Sequence, residues 1–150
     1  MSEARRIDGS MPVAFRYTPG VGNGAFCAAL RADGTLLGSR CAGCAVTYVP
    51  ARSFCERCLG SLAADTPCGP EGSLESWTTL WIDIDGHTLT EPERYALVRL
   101  DGADAVMFHR LLGHAGWEPT IGDRVRTMLR AERGGTILDI EGFGPAEASG

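Results

Sequence analysis

Two Cys-x-x-Cys pairs, Cys41-Ala42-Gly43-Cys44 and Cys55-Glu56-Arg57-Cys58, lie ten residues apart and constrain this chain more than any other feature. Thiolates are soft donors, and four of them at this spacing can surround one tetrahedral ion. Disulfides are the competing use of paired cysteines. The N-terminal MSEARRIDGS lacks the apolar stretch of a secretory signal. The chain is therefore expected in the cytoplasm, where thiols stay reduced and a metal is the better reading. The gap is shorter than the ~15–20 residues of commoner sites. Zinc is favoured for a structural site, and four thiolates can equally hold iron. Two further cysteines stand outside the set. Cys27 falls in a candidate helix, where a small buried hydrophobe is the plainer reading. Cys68, between Pro67 and Gly69, is given no role.

The rest of the chain organises around these pairs. Residues 1–34 read as an arm and a short helix over Asn23–Ala32, with Asn23 as cap and Gly34 as stop. Phe26, Ala29 and Leu30 share a face of that helix. Residues 35–62 have the layout of a zinc ribbon, with a β-branched and aromatic strand at 45–50. So short a segment has little core of its own, and metal would supply its folding energy. Residues 63–72 read as a Gly- and Pro-rich linker. Strands are then expected at 73–84, 95–100, 105–111, 124–130 and 136–140, with a long loop at 85–93 and a connection at 112–120. That count and spacing suit a five-stranded OB-fold barrel over 73–145, ahead of a small β-sandwich, with a tail at 146–150. The fold class is thus mainly β: a short N-terminal helical segment, a ribbon, then a barrel.

Composition narrows the function. Hydrophobic residues make up 44% of the chain, enough for a real core. No apolar run approaches the ~20 residues of a membrane-spanning helix. The net charge of −5 argues against a nucleic-acid backbone as partner. All fourteen basic residues are arginine, which removes lysine Schiff-base chemistry and the P-loop lysine. No G-x-S-x-G, G-x-G-x-x-G or H-E-x-x-H pattern occurs. Asp83 and Asp85 bracket a strand end and read as solvated turn acids. Asp101 and Asp104 read as turn residues. Trp77, Trp81 and Trp117 read as barrel core and rim. His109 lies in a strand whose alternation points Met107 and His109 one way and Val106 and Phe108 the other.

The order of parts resembles the zinc-ribbon/OB-fold proteins that accompany thiolases and related acyl-CoA enzymes. The likeness rests on residues 37–44 (LGSRCAGC), 48–58 (YVPARSFCERC), 72–78 (GSLESWT), 100–104 (LDGAD) and 121–125 (IGDRV). It spans about residues 22–145 in order. Two departures stand out: Ala51 replaces a usual second proline, and the proline usual inside the knuckles is absent.

The resemblance implies a rubredoxin-like ribbon holding one ion on Cys41, Cys44, Cys55 and Cys58. It implies a non-catalytic subunit that joins a thiolase-like enzyme and helps bind or channel acyl-CoA, the partner carrying the catalytic residues. Other members accompany hydratases or aldolases. Arg52, Trp77 and His109 are the candidate contacts for ligand or partner, against their plainer readings as an ion pair, a core ring and a strand histidine. The rival functions are an OB-fold nucleic-acid binder and a small enzyme using Cys27 or Cys68 as nucleophile.

Overall fold

The computed structural model describes Gly9, Ala14, Phe15, residues 17–114 and residues 116–146. Most of the expected N-terminal arm and the end of the expected tail lie outside these residues.

Helix α1 (Gly20–Ala32) starts three residues before the expected point. Pro19 holds the cap position with φ −67°, already suited to a helix, so Asn23 is an interior, exposed residue. Phe26 and Leu30, four apart, are fully buried, and Ala29 is partly so. Gly34 adopts φ +83° and donates its N–H to the Leu30 carbonyl, which ends the helix as the sequence indicates.

Strands β1 (Leu36–Arg40), β2 (Thr47–Tyr48) and β3 (Thr66–Cys68) form a sheet in the order β2-β1-β3. β3 lies within the stretch whose composition suggests a linker. It pairs Leu36 with Cys68 and Leu37 with Pro67, and its proline is tolerated because β3 is an edge strand.

Strands β4 (Glu71–Ile82), β5 (Thr88–Leu100), β6 (Val106–Arg110), β7 (Arg124–Leu129) and β8 (Ile140–Pro145) follow in the order β6-β5-β4-β7-β8. The sheet closes where Leu111 meets Phe143 in a parallel bridge and the Leu112 N–H reaches the Phe143 carbonyl at 2.7 Å. This is the five-stranded OB barrel. No helix occupies 112–120 among the described residues.

Two strand boundaries differ from the sequence expectation. The loop expected at 85–93 contracts to a turn at Asp83–His87, because β5 begins at Thr88, which pairs with Ile82 of β4, and resumes regular pairing at Glu93 after an irregularity at 89–92. Polar composition hid that pairing. The last strand lies at 140–145 rather than 136–140, because Ile137–Asp139 forms a 3-10 turn. The Asp139 carboxylate accepts from the N–H groups of Gly134, Gly135 and Thr136 and holds that turn. Burial alone would raise its pKa; the three N–H bonds outweigh this and hold it below the ordinary value.

One hydrophobic core runs through all parts. Phe26 and Leu30 of α1, Leu36 and Cys68 of the small sheet, and Leu74, Val98, Val125 and Phe143 of the barrel belong to it. The approach of α1 to the ribbon is close: a Cβ on Gly22 would lie 2.7 Å from the Arg52 carbonyl carbon.

Candidate metal centre and contact residues

The ribbon is built from two equivalent turns. In the first, the Cys41 N–H meets the Val46 carbonyl, and the Ala45 N–H meets the Cys41 carbonyl, each at 2.8 Å. In the second, the Cys55 N–H meets the Gly60 carbonyl, and the Leu59 N–H meets the Cys55 carbonyl, each at 2.9 Å. The residue after the second cysteine of each pair is left-handed: Ala45 at φ +55° and Leu59 at φ +58°. Glycine usually takes such a conformation. The sequence hid this symmetry because neither position carries glycine.

These turns bring Cys41, Cys44, Cys55 and Cys58 together, with one Sγ of each within 4.8 Å of every other. Cys41 Sγ and Cys58 Sγ stand 3.6 Å apart. Tetrahedral ligands at about 2.3 Å from zinc would be separated by roughly 3.8 Å, so the set fits such an ion. The environment also favours thiolates. The Cys44 N–H points at Cys41 Sγ and the Arg57 N–H at Cys55 Sγ, both at 3.4 Å. The Tyr48 hydroxyl lies 3.3 Å from Cys55 Sγ. That contact, with the nearby N–H groups of Cys58 and Arg57, holds the Cys55 thiol well below its ordinary pKa and pushes the Tyr48 phenol up to about 12. Cys44 is pushed the opposite way, first by its contact with Cys58. The Cys55 thiolate is thus favoured by its own hydrogen bonds, whereas a thiolate at Cys44 would be helped by a cation between the sulfurs. The four thiols are positioned to bind a metal, and all four tetrahedral positions would be filled by protein.

The ribbon is locked to the barrel by a residue whose sequence reading was only a turn. Asp104, between β5 and β6, accepts the Thr47 N–H at 2.8 Å, and its own N–H returns to the Thr47 carbonyl at 2.9 Å. Only the tertiary placement of the LDGAD turn against β2 makes it a docking residue.

The three contact candidates do not form one group. Arg52 belongs to the ribbon, where it pairs with Glu56 at 2.7 Å and lies over the Tyr48 ring at 5.0 Å. Trp77 and His109 share a row across the sheet: Trp77 pairs with Ala96, and Ala96 pairs with His109. Ala96 is buried, so this row faces the barrel interior. Arg94 covers the half-buried Trp77 ring at 5.7 Å. His109 packs edge-on against Phe143, and its buried Nδ1 has no partner. Burial holds its pKa below the ordinary value, with the neighbouring Arg110 acting the same way and a bond to the Ile137 backbone opposing them.

The two outlying cysteines differ. Cys68 is buried beside Gly38, its thiol pushed up by burial, a poor setting for a nucleophile. Cys27 is half-buried in a shallow hollow with Gly24, Arg31 and Gly135. Trp81 is 61% exposed, at the rim rather than in the core.

Two family models match the chain: ChsH2, rubredoxin-like zinc ribbon domain, over residues 28–63, and ChsH2, C-terminal OB-fold domain, over residues 65–130. No curated protein matches it in sequence. Two solved structures are similar in fold. One is a protein of unknown function from the DUF35 family of Sulfolobus solfataricus, with a TM-score of 0.61, 21% identity, and coverage of 81% of this chain and 83% of that one. The other is the Ltp2-ChsH2(DUF35) aldolase, with a TM-score of 0.60, 21% identity, and coverage of 87% and 98%.

Proposed function

The chain belongs to the family of proteins built from a ChsH2-type rubredoxin-like zinc ribbon and C-terminal OB fold, and on that premise we propose that it is a non-catalytic subunit of an acyl-CoA-handling enzyme complex. In this reading it binds a thiolase-like enzyme in the cytoplasm and assists acyl-CoA binding or channelling, while the partner supplies the catalytic residues. The observation that carries it is the joining of ribbon and barrel through one core, in an arrangement that follows nearly the whole of a chain of the Ltp2-ChsH2(DUF35) aldolase. That name also favours a second reading within the same class, in which the partner enzyme is an aldolase rather than a thiolase.

The four-cysteine centre is proposed to hold zinc as a structural ion. Its four ligands leave no open position for substrate, so it would position surfaces rather than perform chemistry. Arg52, Trp77 and His109 remain candidate contacts for coenzyme A or partner, on the grounds that arginine and an aromatic ring suit phosphates and adenine.

The barrel face often used for nucleic acid gives that alternative little support. On β5 and β6, Arg99 is paired with Glu75 at 2.8 Å and Arg110 with Glu93. Phosphates would have to displace these carboxylates.

Co-expression with the thiolase- or aldolase-like protein encoded beside it tests the proposal. A stable complex with raised enzyme turnover is the expected result. No co-purification and no effect on turnover would overturn it.

A further inference from the structure

β4 and β5 run on together past the barrel. β7 pairs with β4 only at Glu71–Ser73, and β6 pairs with β5 only at Tyr95–Arg99, with one further bond from the Leu111 N–H to the Arg94 carbonyl. Yet β4 and β5 remain paired to Leu80 and Glu93 and, past an irregularity that sets residues 89–92 against Trp81 alone, meet again at Ile82 and Thr88. The outer part is therefore a two-stranded arm with both edges open. Such a ribbon is marginal in water without a surface to pack on.

This arm is also apolar. Leu80 is 42% exposed, Trp81 61%, Ile82 57% and Ile84 101%. Next to it on the barrel, Phe108 is 60% exposed and stacks on Tyr95 at 5.4 Å.

The charges around this surface indicate what covers it. From Leu80 to Glu93 the chain carries Asp83, Asp85, Glu91 and Glu93 and no arginine. Arg110 answers Glu93. Among the described residues no arginine answers the other three, and Asp83 contacts only its own turn, His87 included. Two copies of this arm face to face would set these acids against one another.

We infer that the β4–β5 arm is the docking element for a different protein, one whose surface offers an apolar patch edged by lysine or arginine. The inference rests on the proposed role as a subunit only in supplying a first partner to try; the geometry and charge stand without it.

The test places the photo-crosslinking residue p-benzoyl-phenylalanine at Ile84 in the full chain, in its source cells, with Glu132 as an exposed control site. The expected product is one adduct specific to position 84, with a second protein whose crosslinked peptide lies beside basic residues. Trp81→Ser should weaken that complex about 30-fold, the size of an interface hot spot, and raised salt should weaken it further. A crosslink to a second copy of this chain, no adduct above the control, or an adduct indifferent to Trp81→Ser would each overturn the inference. So would binding of the wild-type protein, lost in Trp81→Ser, to vesicles of phosphatidylcholine and phosphatidylglycerol in place of any protein adduct. A basic-edged partner that handles no acyl-CoA would sustain the arm and overturn the proposed function. An acyl-CoA enzyme held equally by wild type and Trp81→Ser would do the reverse.

Discussion

Leu59 is 77% exposed and sits at φ +58°, so its side chain contributes strain and little packing. A left-handed conformation costs a non-glycine residue about 1–2 kcal/mol, and glycine's extra freedom when unfolded returns roughly half of that. Leu59→Gly should therefore stabilise the metal-loaded protein by about 0.5–1 kcal/mol in a denaturant titration. An unchanged or earlier midpoint would show that the knuckle carries no such strain. His109 allows a second prediction. Its folded pKa lies below the ordinary 6.5, so the folded state disfavours the proton. The neutral form's contribution is present above pH 6.5 and is lost as pH falls through the folded value. Stability should thus decline from pH 7 toward pH 5, and His109→Gln should flatten that decline. An equal slope in both proteins would remove His109 as its source. The inward direction of His109 follows from strand alternation in the sequence. Its neighbours Phe143 and Ile137, which bury it, come from a part of the chain that no local pattern links to β6.

At the scale of elements, the proposed ion would supply much of what holds the ribbon. Among the described residues its own small cluster has Cys41, Val46, Tyr48 and Cys55 as buried members, so two of the four buried side chains belong to the cysteines positioned to bind a metal. Chelation, or Cys55→Ser, should raise hydrogen exchange in β1, β2 and the knuckles before β5 and β6, with α1 following because Phe26 shares one core cluster with Val49 and Ala51 and Gly22 abuts the backbone at Arg52. Elemental analysis should give one zinc per chain. A folded, chelation-resistant protein without metal would refute the structural site. The cysteine spacing made this element readable without a structure. β3 was not readable, because Pro67 and Gly69 carry turn chemistry and the strand exists only through its pairing with β1. The same holds for residues 88–93, which look like loop and join β5 only because Thr88 and Glu93 pair with Ile82 and Leu80 of the opposite strand.

Across the whole molecule, ribbon, helix and barrel are fastened at a few points. Gly22→Ala would drive a methyl group into the backbone at Arg52 and should cost about 1–3 kcal/mol. Asp104→Ala leaves the Thr47 N–H without its acceptor and should cost roughly 1–3 kcal/mol. If the shared core makes one cooperative unit, both losses should appear as a shift of a single unfolding transition. A second transition in Asp104→Ala would mean that ribbon and barrel unfold apart. The sequence by itself determined the four sulfur donors, the order of helix, ribbon and barrel, and the alternation of the strands, because each is written in local spacing. Only the tertiary structure decided which turn clasps the ribbon, which linker becomes a strand, and which hairpin outruns the barrel. Those outcomes depend on contacts between residues distant in the chain: Thr47 with Asp104, Leu36 with Cys68, and Ile82 with Thr88 beyond the last support of β6 and β7.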